Sequence, residues 1–156
     1  MKKLMTSLSL VAGVTTLAAC SSDKKEQAPS STEIVTTIES PVTIEFWHAM
    51  AGTNQEAVDA LVNQFNTTIG ADKGITVKPV YQGQYTDLKT KTTAALKSGS
   101  APAIAQAYPD WVAEYLQSGN VVELDPYILN EEVGINDFDD IIKSYRDENS
   151  QYEGGK

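Results

Sequence analysis

The residues best suited to recognition chemistry in this 156-residue chain fall in three short groups, each following an apolar run. The first is Trp47-His48-Ala49-Met50, the second Gln82-Gly83-Gln84-Tyr85, and the third Tyr108-Pro109-Asp110-Trp111. Together they offer aromatic rings, side-chain amides, one carboxylate and one imidazole. Such a set suits a polyhydroxylated ligand. Aromatic faces pack against the apolar C–H face of a sugar or polyol, and a few placed polar groups fix its hydroxyls. Helix N-termini at the same edge are a second resource, able to hold an anion such as phosphate. Trp47, His48, Tyr85, Asp110 and Trp111 are therefore the candidate ligand-binding residues, and Tyr108 reads as structural. Each candidate has a plainer reading beside it. Trp47 can be core at a strand end, His48 a loop hydrogen bond and Tyr85 merely the first residue of a helix. Asp110 can be an N-cap, and Trp111 can pack on a sheet.

Catalytic chemistry finds little support. His48 is the single histidine, so no multi-histidine metal site can form. As a base it would need a nucleophile and an orienting partner, and no G-x-S-x-G motif is present. Asp137-Phe138-Asp139-Asp140 lacks the spacing and the glycine of a calcium loop. No catalytic residue, metal or cofactor is expected.

The elements that must carry these groups can be read from periodicity. Val42 to Trp47 alternates and is rich in branched and aromatic residues, as a strand does. Thr53-Asn54-Gln55-Glu56 has the pattern of a capping box. After it Ala57, Val58, Leu61, Val62 and Phe65 recur at helical spacing to about Thr68. Gly70 to Gly74 reads as a turn and Ile75 to Tyr81 as a second strand. Pro79 within it is in tension with any place but a sheet edge. A second helix is expected over Tyr85 to Lys97, ended by Gly99, and a buried third strand over Pro102 to Tyr108. Asp110 would cap a third helix, Trp111 to Gln117, closed by Gly119. Val121 to Leu124 suggests a short strand, Asp125-Pro126 a helical turn, and Asn136 the start of a last helix through Tyr145. Strands and helices thus alternate. The fold class is α/β, a parallel sheet with helices on both faces. In such sheets ligands bind beyond the carboxyl ends of the strands, where all three groups fall.

The N-terminus has a different character. Lys2 and Lys3 precede an apolar run, Leu4 to Leu17, that is shorter than the ~20 residues a helix needs to cross a bilayer. Small residues then lead to Cys20, the single cysteine. Residues 1–20 read as an export signal outside the fold. Leu17-Ala18-Ala19-Cys20 resembles a bacterial lipobox, in which the thiol is acylated and becomes the new N-terminus; ordinary signal cleavage near Ala19 is the alternative. Residues 21–40 are polar and low in complexity, a disordered tether. Residues 41–156 remain for one domain. The formal charge is −9, and loss of Lys2 and Lys3 with the signal deepens it. Such a balance repels nucleic acid and anionic lipid, so nucleic-acid binding is set aside.

The chain resembles the extracellular solute-binding proteins, family 1, of ABC importers, which include sugar- and glycerol-3-phosphate-binding lipoproteins. The matching pieces are Ile44 to Gly52, Phe65-Asn66, Val80 to Tyr85, Leu96 to Ile104 and Leu116 to Leu124, in that order. The resemblance implies one lobe of a periplasmic-binding-protein type II fold, a ligand cleft between two lobes, and delivery of the ligand to membrane permease subunits. It also implies a lipid-anchored monomer on the extracytoplasmic face of the membrane. The chain corresponds to the opening part of the N-terminal lobe, with the second lobe missing. The Trp-His-x-Met-x-Gly run at Trp47 to Gly52 is most like the glycerol-3-phosphate-binding branch, whose ligand-contacting tyrosine in a Gly-x-Tyr loop matches Tyr85. That branch has a glutamate just after the third strand's tyrosine. Here Pro109 holds that position and Asp110 follows, which leaves the ligand open between a polyol phosphate and a neutral sugar. The competing readings are a lipid-anchored surface hydrolase and a structural or adhesin lipoprotein. The first is opposed by Ser98 and Ser100, which fall in a loop at the sheet edge opposite His48.

Overall fold

The computed structural model describes residues 34–152. Cys20, the expected export signal and most of the expected tether lie outside the described residues; residues 34–41 carry no helix or strand. Three strands follow: β1 (Val42–His48), β2 (Ile75–Tyr81) and β3 (Ile104–Ala105). They form one parallel sheet in the order β2-β1-β3. Val42 lies opposite Ile75 and His48 opposite Tyr81, while Phe46 and Trp47 lie opposite Ile104 and Ala105. Between and after the strands come α1 (Thr53–Thr67), α2 (Ile69–Lys73), α3 (Tyr85–Ser98), α4 (Pro109–Leu116) and α5 (Asp125–Ile128). A 3-10 turn (Phe138–Asp140) and α6 (Lys143–Asn149) complete the described chain. The β1-to-β2 crossing steps one way across the sheet and the β2-to-β3 crossing steps back past β1. With right-handed crossovers, α1 and α3 then lie on opposite faces. The fold is α/β with a parallel sheet, as the sequence predicts.

The sheet order also explains Pro79. β2 is an edge strand, and both backbone groups of Val77 turn outward to Asn66. The Asn66 amide donates to the Val77 carbonyl at 2.8 Å, and the Val77 N–H donates to Asn66 Oδ1 at 2.8 Å. Backbone groups two residues apart in a strand point the same way, so the position where Pro79 lacks its N–H also faces outward, where no ladder bond is lost. Asn66 pairs the outward groups of Val77 on that edge.

The core sits on the α3 and α4 side. Ala49, Leu88, Trp111 and Tyr115 form its centre, and Trp47, Tyr85, Leu96 and Ala107 pack against it. Leu88, Thr92 and Ala95 recur at helical spacing on α3, and Trp111 and Tyr115 stand one turn apart on α4, so each helix turns one stripe inward.

Several local expectations are corrected. Gly70 lies inside the short helix α2, not in a turn; a Cβ there would come within 2.5 Å of the Ile75 carbonyl oxygen, so only glycine fits. Thr53 is the first residue of α1, whose N-cap is Gly52 with no side-chain cap. The third strand pairs over only two residues, and Ile104 is exposed at the sheet's other edge. Val121 to Leu124 forms no strand, because no described strand lies beside it to pair with. Asp110 is not an N-cap: Tyr108 takes that place, with proline at the start of α4 as helix geometry favours. The last helix begins at Lys143, after the 3-10 turn and an extended break at Ile141 and Ile142.

Candidate functional site

Beyond its carboxyl end the sheet's hydrogen bonding continues into the loops that carry the candidate residues. The Gln82 N–H donates to the His48 carbonyl and the Gln106 N–H to the Trp47 carbonyl, both at 2.9 Å. Gln106 Oε1 accepts from the Ala49 N–H at 3.1 Å. The β1 loop is thereby tied to both neighbouring strands. Gly83 turns the chain into α3 with φ 101°, and a Cβ there would come within 2.6 Å of Asp87 Oδ2. Asp87 needs that space, because its carboxylate accepts the Gln84 N–H at 3.0 Å and caps the helix that begins at Tyr85. Lys91 donates to the Gln82 carbonyl at 2.7 Å and holds the loop from its other side.

Three rings meet at this edge. Tyr85 and Tyr108 have centroids 5.1 Å apart, Tyr108 and Trp111 5.0 Å at 88°, and Tyr85 and Trp111 6.3 Å at 66°. Tilted and edge-to-face pairs of this kind let positive ring edges meet negative faces. The rings differ in exposure. Trp111 is buried in the core at 8%, whereas Tyr108 is open at 47%. Trp111 is the backing of the cluster and Tyr108 its open member. Lys89 sits 5.9 Å from the Trp111 centroid and is paired with Glu114 at 3.2 Å.

The remaining candidates separate from one another. Trp47 and His48 are consecutive in β1, so their side chains leave opposite faces of the sheet. Trp47 packs against the α3 and α4 core, and its indole N–H donates to Glu45 at 3.0 Å. That bond, helped by Lys78, holds the exposed Glu45 carboxyl below its usual range. His48 is 1% exposed, on the other face, with the Phe46 and Tyr81 rings at 5.5 and 6.1 Å. Its Nδ1 accepts the Met50 N–H at 3.3 Å. Asp110 is exposed at the rim of the ring cluster. The Tyr108 phenol is raised above the ordinary tyrosine range by its Tyr85 neighbour first, then by desolvation and by charge at Tyr85 and Asp110.

Two residues at this edge are not among the sequence candidates. Tyr108, read as structural, is the exposed ring of the cluster. Tyr152 reaches back 43 residues to donate from its hydroxyl to the Pro109 carbonyl at 2.9 Å. The first had a signal in its position two residues before Asp110, at the end of an apolar run. The second had none, because its partner is a backbone group far away in sequence.

A cavity of about 410 Å³ lies elsewhere. Val112 and Leu116 of α4 line it together with Val122, Leu124, Ile141 and Tyr145. Its lining is mostly apolar, with Glu123, Asp125, Arg146 and Asn149 among it, and it holds none of the candidate residues. Among the described residues no cluster of three or more histidine, cysteine, aspartate or glutamate side chains could hold a metal ion. No described helix is long and apolar enough to cross a membrane.

Residues 60–155 match the family model described as bacterial extracellular solute-binding protein. The sn-glycerol-3-phosphate-binding periplasmic protein UgpB of Salmonella typhimurium is 36% identical over 94 residues, which is 60% of this chain and 20% of that protein. The Escherichia coli K12 protein of the same name is 33% identical over 93 residues, again 60% of this chain and 20% of the relative. The matched stretch is thus only a fifth of the length of these relatives. Among solved structures, the cyclic alpha-maltosyl-1,6-maltose binding protein from Arthrobacter globiformis has a TM-score of 0.50 at 27% identity, covering 58% of this chain and 22% of that one. A family 1 extracellular solute-binding protein from Alicyclobacillus acidocaldarius has the same TM-score at 22% identity, covering 56% and 21%; it supports the fold alone.

Proposed function

The chain belongs to the bacterial extracellular solute-binding proteins, and on that premise we propose that it serves an ABC importer as part of its solute-binding component. In this reading it supplies the opening part of one lobe and captures a carbohydrate or a glycerol-3-phosphate-like polyol for transport, with no catalysis. The observation that carries it is the Tyr85–Tyr108–Trp111 cluster beyond the carboxyl end of the parallel sheet, the place where such sheets bind ligands. Relatives named for glycerol 3-phosphate and for a maltosyl saccharide support both ligand classes. Tyr108, Tyr85 and Asp110 would meet the ligand, with Trp111 behind them. Trp47 would support the cluster from β1, and His48 would shape the first loop from the opposite face. A thermal-shift screen of the full-length protein against sugars and glycerol phosphates tests the reading. A rise in melting temperature with one class supports it, and silence across both classes in a folded protein refutes it.

The same proposal places the protein on the membrane. Cys20 would carry the lipid, and residues 21–40 would act as the tether. A random coil of that length holds the domain within about 25 Å of the bilayer, near the permease it would supply. The protein would work as a monomer there. Fractionation of cells making the Cys20→Ala variant checks this. The variant should leave the membrane fraction for the soluble one, and retention in the membrane contradicts the anchor.

A further inference from the structure

Granted that solute-binding reading, we infer that Tyr152 is a positioning residue for the site: its hydroxyl fixes the Tyr108–Asp110 edge from a segment 43 residues away in sequence. The three groups at the strand ends are not held alike. The β1 loop is bonded to the chain on both sides of it, at Gln82 and at Gln106. The loop before α3 is held by Asp87 and Lys91. The third group has less support. Its strand, β3, pairs over two residues, and beyond it Gln106 donates to the Trp47 carbonyl and accepts from the Ala49 N–H. Pro109 brings no N–H of its own. The Tyr108 carbonyl is turned back into its own helix, accepting from Trp111 and Val112 at 3.0 and 3.1 Å. Among the described residues, one hydrogen bond ties the main chain of residues 107–110 to another part of the molecule. It is the Tyr152 hydroxyl on the Pro109 carbonyl, at 2.9 Å.

That bond falls between the two residues it would place. Pro109 stands between Tyr108, the open ring, and Asp110, the rim carboxylate. A shift of the first turn of α4 moves both. Tyr152 follows closely on α6, which ends at Asn149, and lines the same cleft as Val112 and Leu116 of α4 and Tyr145 of α6. The last part of the described chain thereby braces the start of α4 through this one side chain. The donor is also durable. Desolvation first, then the charges of Glu148 and Asp110, raise the Tyr152 phenol above the ordinary tyrosine range. It therefore keeps its proton, and donates, through neutral and mildly alkaline pH. A supporting bond of this kind shows in how precisely a site is held more than in whether the chain folds.

Calorimetry on the full-length protein, with maltose and sn-glycerol 3-phosphate as probes, tests the role. Tyr152→Phe keeps the ring in the cleft and removes only the donor. A probe that binds the wild type should bind this variant about two- to tenfold more weakly, as loss of one neutral hydrogen bond allows, while cooperative melting is retained. A double-mutant cycle with Tyr108→Ala separates positioning from a general structural role. With the Tyr108 ring gone, adding Tyr152→Phe should cost less than it does in the wild type, because little remains for it to place. A readout without ligand comes from the Tyr108 ring resonances in tyrosine-labelled protein, identified by their loss in Tyr108→Phe; they should shift in Tyr152→Phe. Unchanged affinity in Tyr152→Phe, the same loss with and without the Tyr108 ring, or unmoved Tyr108 resonances overturns the positioning role and leaves solute binding intact. Silence of both probes with the wild type, in a protein that melts cooperatively, removes the binding reading and this inference with it.

Discussion

Between Val42 and Leu116 the chain builds a core on one face of the sheet: Leu88 is fully buried and Trp111 and Tyr115 nearly so, while Leu61 and Ile69 on the α1 and α2 side stay open at 66 and 60%. Between Val121 and Tyr145 it leaves Leu124, Leu129 and Ile142 at 58, 78 and 63% exposure. The first region has strands that pair, with helices laid across them. The second has a one-turn helix, a 3-10 turn and an extended run with no partner strand among the described residues. Apolar side chains in the second line a cleft where those in the first fill a core. A binding site needs side chains held closely in place, which regular elements supply better than loops. The ring cluster rests on the first region, at the starts of α3 and α4.

The contrast can be broken by mutation, most forcefully at its extremes. Leu88→Ala should cost about 2–5 kcal/mol in urea unfolding, as truncation of a closely packed leucine does. Leu129→Ala should stay within about 0.5 kcal/mol. Equal costs would mean that the two regions do not differ as described. Asn66→Ala should come next, at about 1–3 kcal/mol, because it leaves both backbone groups of Val77 without their partner at the sheet edge.

Tyr115→Phe should change little at neutral pH, because the Tyr115 hydroxyl is buried without a hydrogen-bond partner among the described residues. Its signature is in alkali. Burial raises the Tyr115 phenol more than the Thr93 and Thr92 hydroxyls beside it lower it. The folded state therefore keeps its proton at a pH where the unfolded chain has lost its own. The stability this contributes is full below the ordinary tyrosine pKa and is lost as pH rises through the raised one. Thermal melts across pH 9–11 should show the wild type losing more stability than Tyr115→Phe; parallel curves would contradict the burial. The smallest effect belongs to the second region. Lys143→Ala breaks an exposed pair with Asp147, one helical turn away, and should cost no more than about 0.5 kcal/mol.

Much of the first region was legible in the sequence because its patterns are local. Alternation gave β1 and β2, helical spacing gave α1 and α3, and Gly99 ended α3 as expected. Pro79 was a tension only until the strand order placed β2 at an edge. The sequence misled where a pattern lacked its partner. Val121 to Leu124 has the composition of a strand and no described strand to pair with, and the run ending at Tyr108 pairs over two residues only. The site was half legible. Its place beyond the strand ends followed from strand–helix alternation, but exposure did not. Tyr108 is open and Trp111 buried, the reverse of the exposure their expected roles suggest, because which ring lies inward depends on where α4 begins. Proline at position 109 starts that helix two residues earlier than an Asp110 cap would.

The comparison of the two regions is also a claim about where ligand goes, and a structure of the full-length protein bound to its solute tests it most directly. The expected result places the ligand against the Tyr108 ring, within hydrogen-bonding reach of Tyr85 or Asp110, with the cleft between Val112 and Tyr145 free of it. Ligand seated in that apolar cleft, with Tyr108 untouched, would contradict the assignment of the site.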